Sequence, residues 1–235
     1  MTRELVYGRQ PVRELYRGPR EALETWVTER AAARIPWLDA GPKPHVKPER
    51  ALSEAAGTRD HQGVVAWCEP YRYADAYELA SGESPLLVCL DQVTDPHNLG
   101  AVVRSVEGSG ASAVVIPAHG SVRVTPAVSR ASAGAVEHVP VAVVQNLARY
   151  LADVKGPSLW AYAADAEGAL SMWDADLAGG VALVLGAEGK GVRPLVRRTC
   201  DATVSIPLAG KVGSLNVSVA AAVLLFEARR QRSTK

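Results

Sequence analysis

LLVCLDQVTDPHNLGAVVRSVEGSGASAVVI, residues 86–116, reads as strand, turn, helix, turn, strand. Leu86 to Leu90 is an apolar run of strand length. Asp95 and Pro96 open a helix, the carboxylate as N-cap and the proline at the first helical position, where its missing N–H costs nothing. The helix is expected to run from Pro96 to Glu107 and to stop at Gly108 and Gly110, because glycine tolerates the left-handed backbone of a helix end. Ala113 to Ile116 is the next strand. Two parallel strands joined by a helix form a βαβ unit. Four polar residues at its mouth are ones that such a unit does not need: Asp91, His97, Asn98 and Arg104. Gly100 and Gly108 flank Arg104 by one turn on either side, so the face bearing the guanidinium is expected to be bare and open to a large ligand. Asn98 lies six residues before Arg104 and points elsewhere on the helix. A ligand served by both would wrap around the helix start.

Downstream, the alternation continues. Pro126 to Ala135 is helical in spacing, Val139 to Val144 extended, and Asn146 to Lys155 amphipathic with Leu147, Tyr150 and Leu151 on one side. Leu159 to Ala163 is a strand and Ala169 to Met172 a short turn of helix. Val181 to Leu185 is continuously apolar, as a sheet covered on both faces requires. Thr203 to Pro207 is another strand. Ser214 to Arg232 is a long helix with Ser214 as N-cap and Leu215, Val219, Leu224, Leu225 and Phe226 inward. Arg229, Arg230 and Arg232 stand at its C-terminal end, where the dipole favours cations. Alternating strands and helices mean an α/β fold with a mainly parallel sheet.

Upstream, Tyr7-Gly8 makes a turn and Gln10 to Tyr16 a helix. Glu21 to Ala32 fits either strand or helix. Gly41 to Pro48 is a proline-rich connector, Pro48 to Ala56 a helix ended by Gly57, His61-Gln62-Gly63 a turn, and Val64 to Cys68 a strand. Arg3, Arg9, Arg13, Arg17 and Arg20 form either an RNA-facing basic set or, the commoner case, a solvated surface. Tyr71 to Ser84 is polar, ends in SGESP, and reads as a linker with room for a helical turn.

Composition narrows the function classes. The 235 residues are 48% hydrophobic, enough aliphatic material for one large or two small cores. A net charge of +1 gives no global field for nucleic acid, so any such binding needs a local cluster. Cys68, Cys89 and Cys200 are odd in number and lack metal-ligand spacing, which points to a reducing compartment and no catalytic metal. MTRELVYGRQ lacks the apolar core of a signal peptide, and no apolar run reaches membrane-spanning length. A cytoplasmic protein without a membrane or a metal is expected.

Three loops follow three apolar strands: VTDPHNLG, GAEGKGV and LAGKVGSLN. In open parallel sheets ligands bind beyond the carboxyl ends of the strands. Glycines in such loops let the backbone approach a ligand closely. GAEGKG spaces its glycines unlike a dinucleotide fingerprint, lacks the ending of a phosphate loop, and carries Glu188, which would repel phosphate. An adenosine-like cofactor without phosphate fits better. No GxSxG elbow supports a serine hydrolase. Taken singly, Asn98 and Asn216 are ligand contacts or caps, Arg104 a site residue or an ion-pair partner of Glu107, and Ser214 a helix cap or more. Glu188 is more pointed, since a lone carboxylate adds nothing to a tight turn unless it binds neighbouring donors.

Together the three loops resemble the motifs of the SpoU (TrmH-type) family of RNA ribose 2′-O-methyltransferases in the SPOUT superfamily. DPHNLGAVVRSVEGSGASAVVI is similar to its first motif, LVLGAEGKGV to its second, and SIPLAGKVGSLNVSVAAAVLLFEARRQR to its third. The stretch from VYGRQPVREL to HQGVVA resembles, more loosely, the L30e-like substrate domain of many members. The HQG turn and the LNVSVA–FEARRQR ending are most like the branch that methylates a guanosine ribose in the peptidyl-transferase region of 23S ribosomal RNA.

The resemblance implies an α/β fold whose mainly parallel sheet ends in a C-terminal trefoil knot, plus a small N-terminal L30e-like domain. The division would be 1–74 for RNA substrate binding, 75–84 as linker and 85–235 for methyl transfer. It also implies a homodimer and S-adenosylmethionine as cofactor. By position, Arg104 corresponds to the arginine proposed in the family to help deprotonate the 2′-hydroxyl; because a guanidinium normally stays protonated, binding the neighbouring phosphate and stabilising alkoxide charge is the safer role. Asn98 would orient the nucleotide, Glu188 would order its loop, and Ser214 and Asn216 would stand near the ribose. Leu185, Gly186, Ala187, Glu188 and Gly189 would hold the cofactor from the second motif. Ile206, Pro207, Leu208, Ser214 and Leu215 would hold it from the third. Arg9, Arg13, His61, Gln62 and Arg104 are the candidates for RNA contact. Gly213 stands where the family often has serine, and Lys211 adds a charge. The implied reaction is methylation of a 23S rRNA guanosine. The alternatives are ribose methylation of tRNA, of another rRNA nucleotide such as adenosine or uridine, or an RNA-binding ribosome assembly factor without catalysis.

Overall fold

The computed structural model describes residues 2–234. In chain order the elements are β1 (Glu4–Tyr7), α1 (Arg9–Leu15), β2 (Ala22–Val27), α2 (Glu29–Ala32), β3 (His45–Val46), α3 (Glu49–Ala56), β4 (Val64–Cys68), α4 (Ala76–Ala80), β5 (Leu86–Asp91) and α5 (Pro96–Ser109). They continue with β6 (Ala113–Pro117), α6 (Pro126–Ala131), β7 (Val141–Val144), α7 (Leu147–Val154), β8 (Trp160–Ala164), β9 (Leu170–Ser171), β10 (Val181–Gly186), α8 (Pro194–Thr199), β11 (Ala202–Ser205) and α9 (Val217–Arg232). Short 3-10 segments cover Pro36–Ala40 and Ala135–Glu137.

The chain folds as two compact units. One comprises residues 2–72 together with 123–138, the other 73–122 together with 139–234. In the first, the strand order is β1-β4-β2-β3. β4 runs antiparallel to both its neighbours, and β3 parallel to β2. The ambiguous stretch 21–32 resolves into both alternatives, strand β2 and then helix α2, with Thr28 capping the helix through Ala31 N–H. Val12, Leu15, Val27, Ile35, Val64 and Ala66 fill the core. Residues 123–138 join this unit through a buried ion pair: Arg20 Nε donates to Glu137 Oε2 at 2.9 Å and Nη2 to Oε1 at 2.5 Å. Two desolvated charges persist because they form a bidentate pair.

The second unit is a seven-stranded sheet, β7-β6-β5-β10-β8-β11-β9, in which every pairing is parallel. β5 is buried along its whole length, as its unbroken apolar run requires. Its core holds Leu87, Cys89, Val115, Leu147, Leu151 and Val184.

Several expectations are corrected. α5 continues through Gly108 to Ser109, and Gly110 alone, at φ 71°, supplies the left-handed cap. Residues 170–171 pair with β11 as strand β9 rather than forming a helical turn. α8 was not anticipated; its six residues are too few to show a helical period. α9 begins at Val217 with Asn216 as its cap, because the Asn216 Oδ1 accepts from Ser218 N–H at 2.8 Å, and Ser214 lies outside the helix. Leu215, Val219 and Phe226, expected to point inward, are exposed, whereas Leu224 and Leu225 are buried as expected. None of the helices in the described residues is long and apolar enough to cross a membrane.

Candidate functional site

β5, β8 and β10 end on the same edge of the parallel sheet, and the loops that follow them meet the loop after β11. A cavity of about 640 Å³ lies there, large enough for a cofactor. Leu185, Ile206, Leu208, Leu215 and Val217 make its apolar walls, and Gly186, Ala187, Gly189 and Gly191 bring backbone to it. Nine of the ten residues expected to hold a cofactor line this cavity: Leu185, Gly186, Ala187, Glu188, Gly189, Ile206, Leu208, Ser214 and Leu215. Pro207 does not. Its side chain is exposed beside them.

The loop after β10 folds back on itself. Gly191 N–H donates to the Ala187 carbonyl at 2.9 Å. A Cβ on Gly186 would run into the backbone of Gly191 and Val192, so this position admits only glycine. Gly189 and Gly191 have φ of 74° and 63°, conformations that side chains disfavour.

Asp91 is what holds this loop to the sheet. It is fully buried and accepts from Arg193 N–H at 2.9 Å, from Nε at 2.9 Å and from Nη2 at 2.7 Å. The Asp91 carbonyl takes the Ala187 N–H as well. The fold therefore does need Asp91, contrary to expectation: a buried carboxylate at a strand end survives only with such partners. Arg193 is the residue that the sequence did not single out. A buried acid at a strand terminus was the available signal.

Asn98, Glu188 and Asn216, far apart in sequence, meet in one hydrogen-bonded cluster. Asn98 Nδ2 donates to Glu188 Oε1 at 3.2 Å, and Asn216 Nδ2 donates to Asn98 Oδ1 at 3.0 Å and also to Glu188 Oε1. Glu188 thus binds neighbouring donors, though from the first turn of α5 and the cap of α9 rather than from its own turn. Arg104 is exposed on α5 and makes no ion pair with Glu107 or any other acid among the described residues. Gly108 is exposed beside it, but Gly100 is buried, so only the C-terminal side of the arginine is bare as expected. His97 is exposed, its backbone N–H bound by the Asp95 cap. Ser214 lies exposed on the cavity rim.

Four lining residues escaped sequence reading. Asp165 follows β8 and pairs with Arg197 of α8 at 3.0 Å, and Ala164 and Ala166 flank it. β8 reads as an ordinary apolar strand, so only its place in the sheet reveals that its loop reaches the site. Burial pushes the Cys68 thiol up to about 11 and the Cys200 thiol up to about 12, which leaves neither as a nucleophile at neutral pH.

The first unit has its own hollow, about 860 Å³, lined by Arg9, His61, Gln62 and Gly63 among others. Arg9 N–H donates to Gln62 Oε1 at 3.0 Å, and its Nε to the Gln62 carbonyl at 3.3 Å. His61 is only 1% exposed: Nδ1 accepts from Gly63 N–H at 3.0 Å and Nε2 meets Ser53 Oγ at 3.0 Å. It shapes the turn instead of reaching outward, and burial lowers its pKa. Arg13 is half-buried and does not line the hollow. Of the remaining basic set, Arg3 pairs with Glu24 and Arg17 with Glu14, whereas Arg20 is buried against Glu137 and fits neither the RNA-facing nor the solvated reading.

Residues 85–226 match the model of the SpoU rRNA Methylase family, and residues 5–74 match the model described as RNA 2'-O ribose methyltransferase substrate binding. The chain is 40% identical over 243 residues to the 23S rRNA (guanosine-2'-O-)-methyltransferase RlmB of Vibrio cholerae, covering 99% of this chain and 98% of that protein. It is 50% identical over 185 residues to the protein of the same name from Ralstonia nicotianae, covering 77% and 74%. Among solved structures, it is similar to the SpoU methyltransferase AviRb from Streptomyces viridochromogenes in complex with the cofactor AdoMet. The TM-score is 0.81 at 26% identity, over 98% of this chain and 90% of that one.

Proposed function

The chain belongs to the SpoU rRNA methylase family, and from that premise we propose that it methylates a ribose 2′-hydroxyl of RNA using S-adenosylmethionine, its substrate a guanosine of 23S ribosomal RNA as in the named relatives. The observation that carries the proposal is the cavity at the strand ends with Asn98, Glu188 and Asn216 joined at its rim. The donor set fits the cofactor: apolar walls suit adenine, backbone from the glycine turns suits its polar edge, and Lys190 and Arg197 can face a carboxylate. When bound, the cofactor supplies a methyl group made electrophilic by a sulfonium.

The chain's own residues do the rest. Arg104, exposed and without an acidic partner, binds the phosphate beside the target ribose. Still protonated, it stabilises negative charge growing on the 2′ oxygen. Asn98, held at both ends of its amide, presents a fixed edge to the nucleotide. Glu188 ties two loops and α5 together, so the hydroxyl and the methyl meet in line. Ser214 faces the ribose from the rim.

On the same premise the first 74 residues, with the returning stretch 123–138, form an L30e-like RNA-binding domain, and the rest of 85–235 forms the methyltransferase domain; the stretch 75–84, expected as a linker, instead carries α4 and packs on the second unit through Ala76. The irregular stretch between β11 and α9 threads a trefoil knot. Two copies pair through the exposed apolar side of α9. A ribosomal RNA substrate sets the site of action in the cytoplasm.

The test is mass-spectrometric mapping of 2′-O-methyl groups in ribosomal and transfer RNA from cells with and without the gene, then restoration with purified protein and S-adenosylmethionine. One lost guanosine methyl in 23S rRNA, restored in vitro, is the expected result. Loss in tRNA, or at an adenosine or uridine, would replace the substrate. No loss anywhere would overturn the enzymatic reading. In the restored reaction Arg104→Ala should lower kcat by about a hundredfold or more, the scale of a lost oxyanion donor, without changing cofactor affinity. An unchanged rate would remove Arg104 from the site.

A further inference from the structure

The hollow in the first unit carries charge that the turn alone does not explain. Arg9, Arg30, Lys47 and Arg59 line it, against two carboxylates, Glu29 and Glu49. All four cations are exposed. Among the described residues none of the four forms an ion pair with an acid. Five other arginines of this unit, Arg3, Arg17, Arg20, Arg50 and Arg72, each find a carboxylate. Lys47 Nζ lies over the Trp26 ring, 5.4 Å from its centroid, a contact that leaves its charge unneutralised. Cations without an acidic partner around a concavity are poised for an anion from outside.

The four cations come from four segments: the start of α1, α2, the residue after β3 and the turn before β4. They are spread over a hollow far larger than one phosphate, with carboxylates interleaved, which suits charges repeating along a chain better than one concentrated anion. Among the described residues no Phe, Tyr or Trp lines the hollow and the His61 ring is buried in its turn, so stacked bases are not its ligand. The turn beside it is rigidly built. Gln62 holds a φ of 54° and binds Arg9 through both its side chain and its carbonyl. A Cβ on Gly8 would stand 3.1 Å from Arg130 Cδ and 3.5 Å from Gln62 Oε1, so Arg130, from the returning stretch 123–138, backs the turn that carries Arg9.

We infer that this hollow is a cradle for the phosphate backbone of RNA, with Arg30, Lys47 and Arg59 binding successive phosphates alongside Arg9. The inference rests on the reading of the protein as an RNA enzyme and names where, on its first unit, the RNA is gripped. Backbone contacts of this kind set affinity and register and carry no sequence information.

The experiment uses the full chain and an unmodified transcript of 23S ribosomal RNA, with binding measured across a salt series. Arg30→Ala, Lys47→Ala and Arg59→Ala are combined; the three side chains are exposed, so the variant should melt at the wild-type temperature. Three lost phosphate contacts should weaken binding tenfold or more at moderate salt. They should also reduce the slope of log K against log salt by about two, at roughly 0.7 per contact on single strands. The charge-preserving set Arg30→Lys, Lys47→Arg and Arg59→Lys should restore both. Unchanged affinity and slope in the alanine variant would overturn the cradle, and so would an equal loss in the charge-preserving variant. A wild type that methylates RNA while the alanine variant binds normally fells the cradle alone. A wild type that transfers no methyl while the variant loses RNA fells the reaction and leaves the cradle standing.

Discussion

At the scale of single residues, side chains that look catalytic in isolation divide by what they touch. Asp91 looked like a free acid at the mouth of a βαβ unit, yet all its hydrogen-bonding capacity goes to Arg193 and the loop that Arg193 carries. Asp91→Ala should cost about 2–3 kcal/mol, the scale of hydrogen bonds to a charged group together with the desolvation of what they leave behind. It should also weaken S-adenosylmethionine binding, because the loop it anchors walls the cavity. Chemical denaturation and calorimetric titration check the two effects. A stability loss with unchanged cofactor affinity would detach the anchor from the site. His61 makes a pH prediction. Its Nδ1 must stay unprotonated to accept the Gly63 N–H, and burial holds its pKa below the ordinary 6.5. Below pH 6.5 the unfolded chain binds the proton first, so the stability contributed by the neutral ring is full above that value and is lost as pH falls towards the lower folded-state pKa. The melting temperature should drop through that window in the wild type, and less in His61→Gln. Parallel curves for the two proteins would remove His61 as the cause.

At the scale of elements, the loop after β10 is shaped by absence of side chain. Gly186 leaves no room for a Cβ against Gly191 and Val192, while Gly189 and Gly191 take left-handed turns. Gly186→Ala must push the loop outward, and with it Glu188, which Asn98 and Asn216 hold. Cofactor affinity should fall at least tenfold by calorimetric titration, and methyl transfer should fall with it. Wild-type affinity would mean that the loop is not the cofactor's wall. α9 illustrates a different limit. Val219, Leu224, Leu225 and Phe226 were expected to face inward together, but the apolar residues form two stripes: Ala221, Leu224, Leu225 and Ala228 are buried, and Val219 and Phe226 stand 47% and 50% exposed. Residues seven apart share a helix face, so the exposed pair makes one patch. Helical spacing identifies apolar faces; it does not say whether the covering partner lies in the same chain.

At the scale of the whole molecule, that second stripe is where the proposed homodimer would be tested. Phe226 lies 4.0 Å from the place a Cβ on Gly108 would take, so the patch continues onto α5, the helix that carries Arg104. A charge there would be desolvated in a dimer and solvated in a monomer. Phe226→Glu should therefore sediment as a monomer, with the folded-state circular dichroism of the wild type, and its methyl transfer should fall with dimer content. A wild type that is itself monomeric would remove the dimer from the account. The return of residues 123–138 to the first unit is a feature of the same scale. Arg20 and Glu137 are 117 positions apart and bind each other in its interior.

By itself, the sequence determined the α/β class, the strand and helix at 86–116, and the three loops that gather at the strand ends. Local signals suffice for these: an unbroken apolar run, an Asp-Pro helix start, glycines where backbone must turn sharply. It also carried the family's motifs, and with them the residues now found together in the cavity and in the Asn98–Glu188–Asn216 cluster. What only the tertiary structure decided depends on pairings between distant positions. Asp91 found Arg193, Asp165 found Arg197, Asn216 rather than Ser214 became the cap of α9, and 123–138 packed with the first 72 residues. The unpaired cations around the first hollow belong to the same class. In the sequence only Arg9 stands out among them, and they become a group only when the start of α1, α2, the end of β3 and the turn before β4 fold around one space. Composition and periodicity report what each residue tolerates locally, whereas a buried charge or an open cation is defined by its partner or by the lack of one. That is a property of three-dimensional neighbours, to which a one-dimensional pattern is blind.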